Sequence, residues 1–281
     1  MNSISGDMST IVSVFDRNLV RRHRDRAAAG FGAHDFLVHE TAARLVERLE
    51  DITRAFPLAL DLGCHGGEIA RILAEHPKIG TLFQCDLSPG LAGRAASHAP
   101  GRTFVADEEW LPLAEQCLDL VLSNLSLHWV NDLPGTLVQL RRALRPGGLL
   151  LGSLLGGETL KELRSCLSEA ELLVEGGLSP RFSPLAGVRD IGDLLARVGF
   201  HTLTVDIDTL VVHYADPWRL LRDLRGMGES NAVAVRRRTF LRRATLATAL
   251  ALYQQNHAGA DGRVPATFQV ITLTAWAPDP V

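Results

Sequence analysis

The chain has 281 residues, a formal net charge of −3 and 46% hydrophobic residues. That length and apolar content suit one large core or two small ones. The near-neutral charge gives no global field for a polyanion, so no nucleic-acid partner is expected. No run nears the roughly 20 apolar residues of a membrane-spanning helix. Cys64, Cys85, Cys117 and Cys166 stand far apart with no C-x-x-C pair, which reads as reduced thiols and offers no zinc-ligand spacing. The opening MNSISGDMST lacks the charged start and apolar centre of a secretory signal, and its Asp7 argues against a transit peptide. A cytoplasmic protein without a resident metal is therefore expected; oligomeric state is left open.

Residues about 11–55 read as helical and form an N-terminal helical segment or lid ahead of a domain over 56–281. Ile11, Val12 and Phe15 open it, and Arg17, Arg21, Arg22, Arg24 and Arg26 follow closely. Such a cluster is either a solvated helix face or a docking edge for an acidic partner. Phe36 to Leu49 carries apolar residues at helical spacing. A short apolar strand, about 57–61, then ends at Asp61 and turns through Gly63, Gly66 and Gly67 into a helix over 67–75, which His76-Pro77 stops.

A second strand, Gly80 to Cys85, ends at Asp86. Asp86 lies one βα unit after Asp61, where a doubly wound fold places an acid that binds ribose hydroxyls. Leu87-Ser88-Pro89 opens the next helix, with Ser88 as N-cap and Pro89 at the first position. A third strand, Thr103 to Ala106, runs into Asp107-Glu108-Glu109-Trp110-Leu111. The fourth, Leu118 to Asn124, leads into SLHWVNDLP, where His128 has the near-neutral range of a general base or shapes the pocket. A helix, Leu133 to Leu144, stops at Arg145-Pro146-Gly147-Gly148, and the fifth strand is Leu149 to Leu154. Strands alternating with helices imply an α/β fold with a parallel sheet covered on both faces.

The last third reads as helices over about 158–175 and 190–198, a strand from Thr202 to Tyr214, helical sequence from Asp216 to Tyr253, and a final strand, Thr267 to Ala275. The insertion over about 216–262 carries Gly226-Met227-Gly228-Glu229-Ser230-Asn231 and the arginines 236, 237, 238, 242 and 243. It is expected to emerge at the ligand edge of the sheet and cover the site mouth.

The turn Asp61-x-Gly63-x-x-x-Gly67 is neither a G-x-G-x-x-G dinucleotide turn nor a P-loop. It resembles the first motif of class I S-adenosylmethionine (SAM) methyltransferases, with His65 where a middle glycine is usual. More broadly, the strings FDR at Phe15, FPLALDLGC at Phe56, ADEE at Ala106, SLHWVNDLP at Ser126, GMGESN at Gly226 and VPAT at Val264 resemble the methyltransferase-like assembly factor of respiratory complex I. The biotin-pathway malonyl-carrier-protein methyltransferase is a more distant likeness. The resemblance implies the class I fold: a seven-stranded, Rossmann-like sheet, mostly parallel, with an antiparallel last strand. It implies SAM as cofactor, gripped by Asp61, Gly63, Cys64, Gly67, Asp86, Leu87, Asp107, Glu108, Trp110 and Asn124. Asp107 would reach the adenine, and Trp110 or Leu111 would pack on the ring. His128 is then the candidate base, and Trp129, Glu229, Ser230 and Asn231 fall on the substrate side.

Three activities follow from this likeness: methyl transfer to a protein or small acceptor, arginine hydroxylation of a complex I subunit, or a non-catalytic SAM-binding chaperone for that client. Hydroxylation needs activated oxygen. His34-Asp35 and His39-Glu40 carry metal-ligating residue types, but their spacing is not diagnostic.

Overall fold

The computed structural model describes residues 13–99 and 101–279. Ile11 and Val12 lie outside them. Helix α1 (Arg17–Ala28) begins where Asp16 caps the Leu19 N–H at 3.0 Å. Helix α2 (Phe36–Glu50) and strand β1 (Phe56–Leu62) follow. The helix expected over 67–75 is only α3 (Glu68–Ile72), because Gly67 enters it in the left-handed region (φ 88°) and the chain leaves it at Leu73. Strand β2 (Ile79–Asp86) leads to α4 (Pro89–Ala95), capped by the Ser88 hydroxyl as its sequence signals. Strand β3 (Thr103–Val105), strand β4 (Leu118–Asn124) and helix α5 (Leu133–Ala143) come next.

Arg145-Pro146-Gly147-Gly148, whose Pro-Gly-Gly reads as a helix stop and turn, is not a turn. It instead lies in strand β5 (Leu144–Leu155), where an irregular register against β4 and the positive φ of Gly147 (65°) absorb the bend. Helices α6 (Lys161–Glu175) and α7 (Val188–Arg197) precede strand β6 (His201–Tyr214). The sequence from Asp216 to Tyr253 is not one helical stretch. It splits into α8 (Pro217–Gly226) and α9 (Arg243–His257), with non-helical chain between them. Gly226 and Gly228 (φ 84°) end the helix and free the following residues to pair elsewhere. Strand β7 (Val264–Trp276) closes the chain.

The seven strands form one sheet in the order β3-β2-β1-β4-β5-β7-β6. Strands β1 to β5 pair in parallel, and β7 runs antiparallel to both neighbours, β5 and β6. Strand β4 is buried at every residue, as a central parallel strand covered on both faces must be. Its alternation sorts the core. Leu120 and Leu122 pack with Leu45, Leu49 and Ile69 of α2 and α3 on one face. Val121 packs with Leu137, Leu140, Ile191 and Leu195 of α5 and α7 on the other. A third cluster joins α6, α8 and α9 to the start of β7 through Leu163, Leu220, Tyr253 and Phe268.

This topology brings the ends of β1, β2, β3 and β4 to one edge. Because β6 is parallel to them, its end at Tyr214 delivers α8 and the following loop to that same edge. Helix α1 lies across it, against α4.

Candidate functional site

The turn after β1 is buried and closely packed by protein. Gly63 sits at φ 69°, and a Cβ there would lie 2.1 Å from Ser126 Oγ, so only glycine fits. His65 keeps the left-handed conformation of the glycine it stands in for, at φ 47°, a strain of about 1–2 kcal/mol. Its ring is held in place: it stacks on Phe31 with centroids 5.9 Å apart, and Nε2 is 2.8 Å from the Asn124 carbonyl. The His65 side chain therefore shapes the turn from behind rather than filling its mouth.

Asp61 is 1% exposed, and neither carboxylate oxygen has a hydrogen-bond partner. Burial first, then the nearby charges of Glu68 and Asp86, push its carboxyl well above the ordinary range. An uncompensated buried carboxylate is costly and marks a group kept for something other than stability. Together with the left-handed turn it fits the cationic methionine end of SAM.

Asp86 and Glu108 converge beside it, but on protein. Arg24 of α1, itself 1% exposed, places Nη1 3.4 Å from both Asp86 oxygens and 3.1 Å from Glu108 Oε1, and its Nη2 donates to Ser126 Oγ at 3.0 Å. Arg17 donates to Glu108 Oε2 and to Asp107 Oδ1, the latter at 2.6 Å. Burial works against the Glu108 charge, yet Arg17 and Arg24 together hold its carboxyl down at about 2. Two arginines of the basic cluster, which the sequence leaves open between a solvated face and a docking edge, are thus paired with the acids of the candidate site, whereas Arg21, Arg22 and Arg26 are exposed. The signal was available: Arg17, Arg24, Val20 and Ala27 share one helical stripe at spacings of three and four.

Several expected cofactor residues sit elsewhere. Asp107 turns outward to Arg17 and the Glu109 N–H, and Glu108 is the acid that points in. Trp110 is 77% exposed, so it cannot shelve a buried ring; Leu111, half-buried, packs on the main core instead. The Asn124 side chain is consumed in bonds to the Val38 carbonyl and Ser153 Oγ. Cys64 and Leu87 are buried, the latter against Phe15, Val20 and Trp129.

On the other side of Arg24, SLHW meets GMGESN. Glu229 accepts from the Trp129 indole at 3.0 Å and contacts His128 Nε2 at 3.2 Å. Burial opposes its charge, but His128 and these bonds keep the carboxyl below its usual range. His128 Nδ1 is buried and without a partner. Ser230 is held by α1, its carbonyl 3.2 Å from His23 Nδ1 and its hydroxyl 3.3 Å from Arg26. Asn231 ties the loop to the Pro180 carbonyl at 3.0 Å. Further along, the Asp16 N–H bonds the Ala232 carbonyl at 2.8 Å and Phe15 bridges Val233. A cavity of about 90 Å³ opens beside this cluster, lined by Glu229, His128, Trp129, Phe182, Leu224 and Phe268 among others.

His34 and His39 do not gather around one point. His34 pairs with Asp223 at 2.7 Å, and His39 faces Arg71 at 3.2 Å. Among the described residues, no helix is long and apolar enough to cross a membrane.

Residues 60–152 match the family model described as a methyltransferase domain. A zebrafish (Danio rerio) protein named arginine-hydroxylase NDUFAF5, mitochondrial, is 45% identical over 95% of this chain and 84% of its own length. The chain belongs to the NDUFAF5 family. The human protein of that name is also 45% identical, over 94% of this chain and 77% of its own. Both are named mitochondrial, which overturns the expected cytoplasmic location. A malonyl-[acyl-carrier protein] O-methyltransferase from Gallionella capsiferriformans is 36% identical over 95% of this chain and 93% of its own. In fold, the chain is similar to phosphoethanolamine N-methyltransferase 2 of Haemonchus contortus solved with S-adenosyl-L-methionine, at a TM-score of 0.57 and 17% identity, over 92% of this chain and 60% of that one. The family thus lies within the class I SAM-methyltransferase superfamily, and this chain has the fold of a SAM-dependent enzyme.

Proposed function

We propose that this protein binds SAM at the end of β1 and modifies an arginine side chain of a protein client at the cavity beside Glu229. The orphaned Asp61 carboxylate supports the cofactor half. An ammonium group set against it would supply both the charge and the donors it lacks, at a turn that Ser126 now packs against. Bound SAM supplies an electrophilic methyl group on a sulfonium.

The placement of Glu229 carries the client half. A half-buried carboxylate at a cavity walled by Trp129, Phe182 and Phe268 suits a planar guanidinium, which pairs with the acid and stacks on aromatic faces. The relatives at 45% identity are named arginine hydroxylases, and hydroxylation follows, with dioxygen giving one oxygen atom to the arginine and an external two-electron reductant taking the other to water. In this arrangement Glu229 holds the Nε2 proton of His128, and the unpartnered Nδ1 is the atom able to take a proton from the client. A complex I subunit with an exposed arginine is the client class to test.

A second reading, methyl transfer, has its own support in the carrier-protein O-methyltransferase relative. Mass spectrometry on purified protein, SAM, dioxygen, an added reductant and a candidate complex I subunit separates the two. A gain of one oxygen on arginine is expected, and it should vanish with Glu229→Ala. A methyl gain would replace hydroxylation with transfer, and an unmodified but tightly held client would leave a chaperone.

A further inference from the structure

Arg24 occupies the acceptors that an adenosine would use. Asp86 Oδ1 already takes the Ser88 N–H at 2.8 Å, and Oδ2 takes the His65 N–H at 3.2 Å. The remaining capacity of both oxygens faces the Arg24 guanidinium at 3.4 Å. Glu108 is equally full, with Arg24 and Ser126 on Oε1 and Arg17 on Oε2. A ribose diol brings two hydroxyl donors, and it cannot reach Asp86 while a guanidinium stands on the same lone pairs. Arg24 has no exposed fraction to trade away, since it is buried among Asp86, Glu108 and Ser126. Its position is supported from its own helix: the neighbouring Asp25 accepts from Ser88 Oγ at 2.5 Å and from the Gly90 N–H at 3.1 Å.

We infer that Arg24 is a built-in competitor of the cofactor: the guanidinium substitutes for adenosine as the partner of Asp86 and must leave before SAM is fully seated. The inference rests on the SAM reading of this site. The two arrangements exclude each other, so apparent affinity is reduced by the fraction of molecules in which Arg24 holds the acids. Methionine keeps the apolar stem of arginine, is shorter by the guanidinium head and cannot pair with Asp86, so Arg24→Met isolates the competition.

The test is titration of S-adenosylhomocysteine into wild type and Arg24→Met by calorimetry. The variant is expected to bind at least tenfold more tightly. Equal or weaker binding by the folded variant overturns the inference. Should Arg24→Met fail to fold, a crystal structure of the wild-type complex with S-adenosylhomocysteine decides. Asp86 on the ribose with Arg24 withdrawn supports the inference, and Arg24 still on Asp86 overturns it. Absence of binding by both folded proteins overturns the cofactor reading itself, and this inference with it.

Discussion

Glu229 accepts from the Trp129 indole at 3.0 Å and meets the His128 ring at 3.2 Å, joining two segments 100 residues apart in the chain. The bond fastens the loop after α8 to the tail of β4. Glu229→Gln leaves one oxygen for two donors and is expected to cost about 1–3 kcal/mol, read by urea denaturation at pH 7. The sign of the pH dependence follows from the depressed Glu229 carboxyl. Its contribution is full above the unfolded value of about 4.5 and is lost as the pH falls through the lower folded value. Wild type should therefore lose more stability than Glu229→Gln between pH 5 and pH 3; parallel curves would show that the Glu229 charge contributes nothing to the fold.

Asp61 behaves in the opposite sense. Its carboxyl is raised by burial and by the charges of Glu68 and Asp86, so it detracts from stability as the pH rises above the unfolded carboxylate range. Asp61→Asn removes the charge at nearly constant volume. It should raise the melting temperature at pH 7.5 by a few degrees and weaken S-adenosylhomocysteine binding at least tenfold. A less stable variant with intact binding would show that Asp61 serves the fold.

Glu68 begins α3, accepts the Gly66 N–H at 3.0 Å, and is pushed by burial up to about 7. The folded state keeps this proton between pH 4.5 and 7 while the unfolded state gives it up, so stability falls across that window. Glu68→Gln keeps the Gly66 bond and should abolish the fall, gaining up to about 3 kcal/mol at pH 8. Chemical denaturation at pH 5 and pH 8 checks it: a gain of the same size at both would point to another cause.

Trp110 stands in solvent. Trp110→Ala is expected to change stability by no more than about 0.5 kcal/mol and to leave S-adenosylhomocysteine binding intact. Weakened binding in a fully folded variant would return Trp110 to the site.

The sequence by itself settled the order of strands and helices, the turn at Asp61, and Asp86 at a neighbouring strand end. These are local matters: apolar runs bounded by glycine or proline, caps such as Ser88, and side-chain alternation each act within a few residues. The strings SLHW and GMGESN also stood out, but their meeting through Glu229 did not. Only the tertiary structure decided which acid after β3 points inward, that Trp110 faces water, that Asn124 is spent on α2 and β5, and that Arg24 is buried. An arginine on a helix reads as solvated because burying its charge alone is prohibitive. The cost is met here by Asp86 and Glu108, which lie 62 and 84 residues further along the chain, and only the packing of α1 across the sheet edge brings them within reach.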